Sequence, residues 1–156
     1  MLDEAAMLKR SRFLSNLTWL QSTDSFPFFF SQPFTAARNW REPILQKFWT
    51  ERPSIGALVK MGWDSFEAKP NDEDNMEVLK SRATVHAMAS YFILYLQEKQ
   101  KLSAVFNMFR EVDINKIEDD PRAQNIKLLE SALNQSIDKI NQDFGIWFAG
   151  LGKPNR

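Results

Sequence analysis

Apolar residues recur along this chain at the three- and four-residue spacing of helices, and no stretch alternates apolar and polar positions as a half-buried strand would. Met7, Leu8, Leu14, Leu17 and Leu20 predict an amphipathic helix over about residues 3–21, with Lys9, Arg10 and Arg12 on its polar side. The Ser, Thr and Asp cluster at 22–25 ends it. Beyond that point Phe26, Phe28, Phe29, Phe30 and Phe34 are interleaved with Pro27 and Pro33 and show no clean period, which predicts an irregular arm over about 22–41 whose rings pack on the body. Pro43 then stands where a helix starts. Ile44, Leu45, Phe48 and Trp49 give that helix its apolar stripe, and Pro53 stops it. Ser54 is the predicted N-cap of a short helix over 55–61 that Gly62 closes, and Trp63 and Phe66 begin a further brief turn.

The longest predicted element runs from about 76 to 101, after the acidic turn Pro70-Asn71-Asp72-Glu73-Asp74, whose carboxylates suit the positive end of a helix. Residues 85–96 within it are apolar nearly all round, the mark of a helix enclosed by others. Leu102, Val105, Phe106 and Phe109 define the next helix, and Pro121 opens another through Ile126, Leu128, Leu129 and Leu133. Ser136 caps a last helix with Ile137, Ile140, Phe144, Trp147 and Phe148 inward. The expected fold is all-α: one domain over 1–156, an irregular array of about six helices around a central apolar helix at about 76–101, with a polar tail at about 150–156.

Composition narrows the chemistry. The 156 residues carry 20 Lys and Arg against 20 Asp and Glu, so no net field attracts a nucleic-acid backbone, and nucleic acid is not an expected partner. No apolar run approaches the roughly 20 residues needed to span a bilayer, and the mixed, acidic start MLDEAAMLKR has no secretory pattern. No membrane association is expected, and the cytoplasm is the default location. There is no cysteine, hence no disulfide and no thiolate ligand or nucleophile. The chain also holds a single histidine, His86, so it cannot by itself form a two-histidine metal motif. His86 and Ser90 stand four apart on the central helix and can meet on one face. A Ser-His pair also needs an orienting group and an oxyanion hole, so a packed core histidine is the better account. The runs Asp72-Glu73-Asp74 and Glu118-Asp119-Asp120 lack the glycine and later glutamate of a calcium loop, and read as helix-start electrostatics.

The order of three segments is similar to a known pattern. NWREPILQKFWTERPSIGALVKMGWDSF, then RATVHAMASYFILYLQEKQKLSAVFNMFREVD, then LLESALNQSIDKINQDFGIWF resembles the helical C-terminal part of gluzincin-type, peptidase-MA-like zinc metallopeptidases, over roughly two thirds of the chain. In that family a Pro-Ser-Leu-x-x-Leu segment ending in Phe precedes an active-site helix, and a Ser-Leu-Asp-x-Leu-x-x-x-Phe-x-x-Trp helix closes the domain. Here the matching positions are Pro53-Ser54-Ile55, Phe66, the helix from His86 to Leu96, and Ser136-Ile137-Asp138 through Phe144 to Trp147. The opening Met1-Leu2-Asp3-Glu4-Ala5-Ala6-Met7 resembles the family's Trp-Leu-Asn/Asp-Glu-Gly-x-Ala segment.

The resemblance implies roles for two residues. Glu4 takes the position of the third zinc ligand, and His86 that of the tyrosine that stabilises the oxyanion, a bond an imidazole N–H can also donate. Ala5 replaces the family's glycine, Met7 its small residue, and the His-Glu-x-x-His helix is not in this sequence. Glu4 alone cannot hold a zinc that needs three protein ligands and an open water position, so zinc is expected only if histidines come from elsewhere. The expected function is therefore a non-catalytic, metallopeptidase-like helical domain: a fragment, a degenerate paralogue or one part of a split gluzincin. The alternative is a helical scaffold that binds a protein partner through Phe28, Phe29, Phe30 and Phe34.

Overall fold

A helix with no polar face is stable in water only when other elements cover all its sides. The computed structural model, which describes residues 38–61, 65–66, 75–113 and 121–151, meets this requirement with six α-helices and no strand among the described residues. They are α1 (Arg41–Lys47), α2 (Ile55–Lys60), α3 (Met76–Glu98), α4 (Leu102–Arg110), α5 (Pro121–Leu133) and α6 (Ile137–Leu151), with a 3-10 turn at Trp49–Glu51 between the first two. The predicted all-α array around a central helix is what forms. The expected helix at 3–21, the arm up to residue 37, Gly62 and Trp63, the acidic runs at 72–74 and 118–120, and the tail beyond 151 lie outside the described residues.

Helix α3 is the axis. Thr84, Val85 and every residue from 87 to 96 are buried, and α1, α2, α4 and α6 all pack on it. Its start is set by Asn75, whose side-chain oxygen accepts from the backbone N–H of Glu77 (3.2 Å) and Val78 (3.3 Å). Its end comes at Glu98, three residues before the position expected from the apolar pattern. Gln100 turns into the left-handed region (φ 57°), and the N–H groups of Lys99 and Lys101 close back on the carbonyls of Tyr95 (2.9 Å) and Leu96 (2.8 Å).

The shorter helices are tied to one another through their ends, where backbone groups have no partner inside the helix. Ser54 caps α2 as predicted, accepting from Ala57 N–H at 3.1 Å, while Ile55 N–H donates to Asn141 of α6 at 3.1 Å. At the other end of α2, the Val59 carbonyl accepts from the buried Asn125 amide of α5 at 3.0 Å. Ser136 caps α6, and Glu130 of α5 accepts from Ile137 N–H at 2.7 Å. The approach of α2 to α6 is close at Gly56, where a Cβ would lie 3.2 Å from Ile137 Cγ1.

Rings fill the space between α3, α6 and the 3-10 turn. Phe144 is fully buried and meets Phe92 and Tyr95 edge-on, at centroid distances of 5.9 and 5.8 Å. Trp49 stacks on Phe148 at 4.6 Å with the planes 5° apart, and the Arg52 guanidinium lies 3.8 Å over the Trp49 ring. The predicted inward face of α6 is confirmed: Ile140, Phe144 and Phe148 are buried, and Ile137 and Trp147 pack half-buried beside them.

Two outcomes follow for stability. Truncation of Phe144 to Ala removes contacts from both α3 and α6, and urea denaturation should show a loss of about 3–5 kcal/mol. Gln100→Gly relieves an exposed left-handed residue and should gain about 0.5–1 kcal/mol in the same assay, the relief exceeding the added chain entropy.

Candidate functional site

Three groups of polar side chains reach into the body from the helices, and their chemistry differs. The first joins α1 to α3. Glu42 is 7% exposed, and its carboxylate is saturated. Arg38 Nε donates to Oε2 (2.7 Å) and its Nη2 to Oε1, Gln46 Nε2 donates to Oε1 (3.2 Å), and the Tyr91 hydroxyl donates to Oε2 (3.1 Å). Tyr91 in turn accepts from Asn39 N–H at 3.1 Å. The Arg38 bonds, helped by Tyr91, hold the Glu42 carboxyl below the usual carboxylate range against the opposing pull of burial. Burial, followed by the neighbouring carboxylate, pushes the Tyr91 phenol up. A carboxylate with all its acceptor positions occupied is a clamp rather than a base.

The second group surrounds the single histidine. His86 Nε2 lies 3.0 Å from the Phe66 carbonyl oxygen, which can only accept, so this nitrogen carries the proton. The Phe66 ring meets the imidazole edge-on at 5.3 Å. Ser90 Oγ is buried and has no hydrogen-bond partner among the described residues, so no bond joins it to His86, and the two do not form a dyad. The structure thus brings His86 together with Phe66, twenty residues earlier in sequence. Glu4, Phe28, Phe29, Phe30 and Phe34 lie outside the described residues. Among the described residues no three His, Asp or Glu side chains converge as a metal site would require.

The third group carries no motif in the sequence. A cleft of about 560 Å³ opens where the end of α3 faces the turn between α5 and α6. Leu133, Ile146 and Trp147 form its apolar wall, and Tyr95, Lys99 and Lys101 reach it from the end of α3 and the turn that follows. The Asn134 backbone is left-handed (φ 52°), an arrangement that asparagine tolerates and that brings Asn134 and Gln135 to the rim. Asp143, on the same rim, is held by Lys139 (2.7 Å) and Gln135 (3.2 Å), chiefly the Lys139 bond, and its carboxyl sits below the usual range. Trp147 Nε1 donates to Glu98 at 2.7 Å, which fixes the indole. The sequence signal for this cleft was available in principle: Lys99 and Lys101 flank a helix end, and Asn134-Gln135 separates two apolar helices. What the spacing did not give was that the two turns face each other.

The Glu42 clamp yields a prediction. Its carboxyl is lowered in the folded state, so its contribution is fully present above the unfolded carboxyl value of about 4.3 and is lost as pH falls through the folded value. Glu42→Gln should therefore lower stability at neutral pH and flatten the acid limb of a stability-versus-pH curve followed by circular dichroism. No family model matches the chain, and no curated protein or solved structure matches it significantly.

Proposed function

We propose that this chain is a helical domain of gluzincin-type, metallopeptidase-like architecture that does not itself hydrolyse peptide bonds. One observation supports the reading: the segments that carry the resemblance, far apart in sequence, lie against one another. Ser54 and Ile55 of the Pro-Ser-Ile segment meet the closing helix through the bond from Ile55 N–H to Asn141. Phe66 seats on His86 of the central helix, and Tyr95 near the end of that helix meets Phe144 and Trp147 of the closing one. Ser136, which opens the closing motif, is the N-cap of α6. These positions make a single packed unit, as a domain built on that pattern requires. The catalytic half is what the sequence lacks, because a hydrolytic zinc needs two further nitrogen ligands and a general base beside Glu4.

A second reading rests on Trp40, 67% exposed at the point where the phenylalanine-rich arm joins α1. An exposed indole beside Phe28, Phe29, Phe30 and Phe34 in sequence suits a scaffold that anchors a protein partner through aromatic residues. Solution mass separates the two: a monomer whose arm resists protease counts against the scaffold.

For the first reading, metal analysis of the purified chain at neutral pH should find no stoichiometric zinc. A tightly held ion that Glu4→Ala abolishes would overturn the non-catalytic assignment. Reading the coding DNA 5′ of the Met1 codon distinguishes its forms: an in-frame His-Glu-x-x-His helix makes the chain the rear part of a peptidase, and its absence makes it a remnant.

A further inference from the structure

The cleft at the end of α3 holds polar groups that have no hydrogen-bond or ion-pair partner among the described residues. Tyr95 is 6% exposed, its ring enclosed by Phe92, Phe144 and Trp147, yet its hydroxyl has no hydrogen-bond partner among the described residues. The ring is enclosed while the hydroxyl oxygen reaches solvent in the cleft, where a ligand's acceptor can take the place of water. Tyr95 and Asp143 both line the cleft, and burial, followed by the Asp143 carboxylate, pushes the Tyr95 phenol up. Lys99 and Lys101 line the same space, and neither ammonium forms an ion pair among the described residues. Of the acidic groups nearby, Asp143 is bonded to Lys139 and Gln135 and also feels the Lys99 charge, and Glu98 bonds the Trp147 indole. The available chemistry is therefore two cations and a hydroxyl donor at one side, facing an apolar wall of Leu133, Ile146 and Trp147. At about 560 Å³ the space lies within the roughly 300–1,000 Å³ of small-molecule sites.

We propose that this cleft binds a small carboxylate with an apolar, ring-bearing body, its carboxylate on Lys99, Lys101 and the Tyr95 hydroxyl and its ring against Trp147 and Ile146. An amine is disfavoured because the rim carboxylate is neutralised from within, and a purely apolar ligand would leave the phenol unpaired. The same chemistry is offered by a free aryl-alkanoic acid and by the C-terminal phenylalanine of a peptide.

The test is titration of the ¹⁵N-labelled full chain, followed by amide chemical shifts, with 3-phenylpropanoate and with acetyl-Ala-Ala-Phe, each against its carboxamide. Saturable shifts at Lys99, Lys101, Asn134, Gln135 and Trp147 are expected, with each acid binding at least about tenfold more tightly than its amide, as loss of a charge-assisted bond implies. Whichever acid binds more tightly identifies the source. Lys99→Met with Lys101→Met should erase the preference for acid over amide. Tyr95→Phe, which keeps the ring in its packing, should weaken the acid severalfold without lowering the melting temperature. No saturable shift at these amides with either acid, or equal affinity for acid and amide, overturns the proposal. So does a Tyr95→Phe variant that remains folded and binds the acid unchanged.

Discussion

The chain from residue 85 to 96 has no polar side to offer water, and the rest of the structure is arranged around that fact. Burial of each large apolar side chain in such a stretch is worth about 1.5–3 kcal/mol, and it is realised only if covering helices approach from every direction. Four helices do so. Because they are short, none is stable alone, and each depends on the axis it covers. This dependence makes the body cooperative: α1 is docked through Leu45 and the Glu42 clamp, α2 through Ile55, Leu58 and Val59, and α6 through Phe144 and Phe148.

Short helices carry a second constraint, since a large share of their backbone groups lies at the ends. The structure satisfies several of these with side chains from a different helix. Asn141 serves α2 from α6, Asn125 serves α2 from α5, and Glu130 serves α6 from α5. Such bonds do what loops cannot: they fix the mutual register of helices whose apolar faces alone would tolerate sliding. The polar residues within the body are therefore mostly structural, and the Glu42 to Arg38 and Tyr91 cluster is of that kind, its acceptors all used. The Tyr95 hydroxyl differs because it opens on the cleft and has no hydrogen-bond partner among the described residues.

Local signals were legible where a residue's own backbone chemistry decides the outcome. Ser54 and Ser136 read correctly as N-caps, Pro121 as a first-turn residue, and the stripe of Ile140, Phe144 and Phe148 as an inward face, because capping geometry and helical period act within a few residues. The end of α3 was placed too late, since Lys99 and Lys101 are good helix formers and nothing local announces that Gln100 will turn left-handed. His86 and Ser90 show the same limit from the other side. Their spacing allows a meeting, but the imidazole instead bonds a carbonyl twenty residues earlier in sequence.

From the sequence by itself came the helical class, the enclosed central helix and the exclusion of cysteine and two-histidine chemistry, all of which depend on composition and on periods of three to four residues. Tertiary structure alone decided which helix ends meet. The cleft beside Tyr95 exists because the turn after α3 and the turn between α5 and α6 face each other across the flank of α6, and no residue within either turn encodes the other's position. Pairings of that kind arise from how the covering helices pack around one axis, a property of the whole chain.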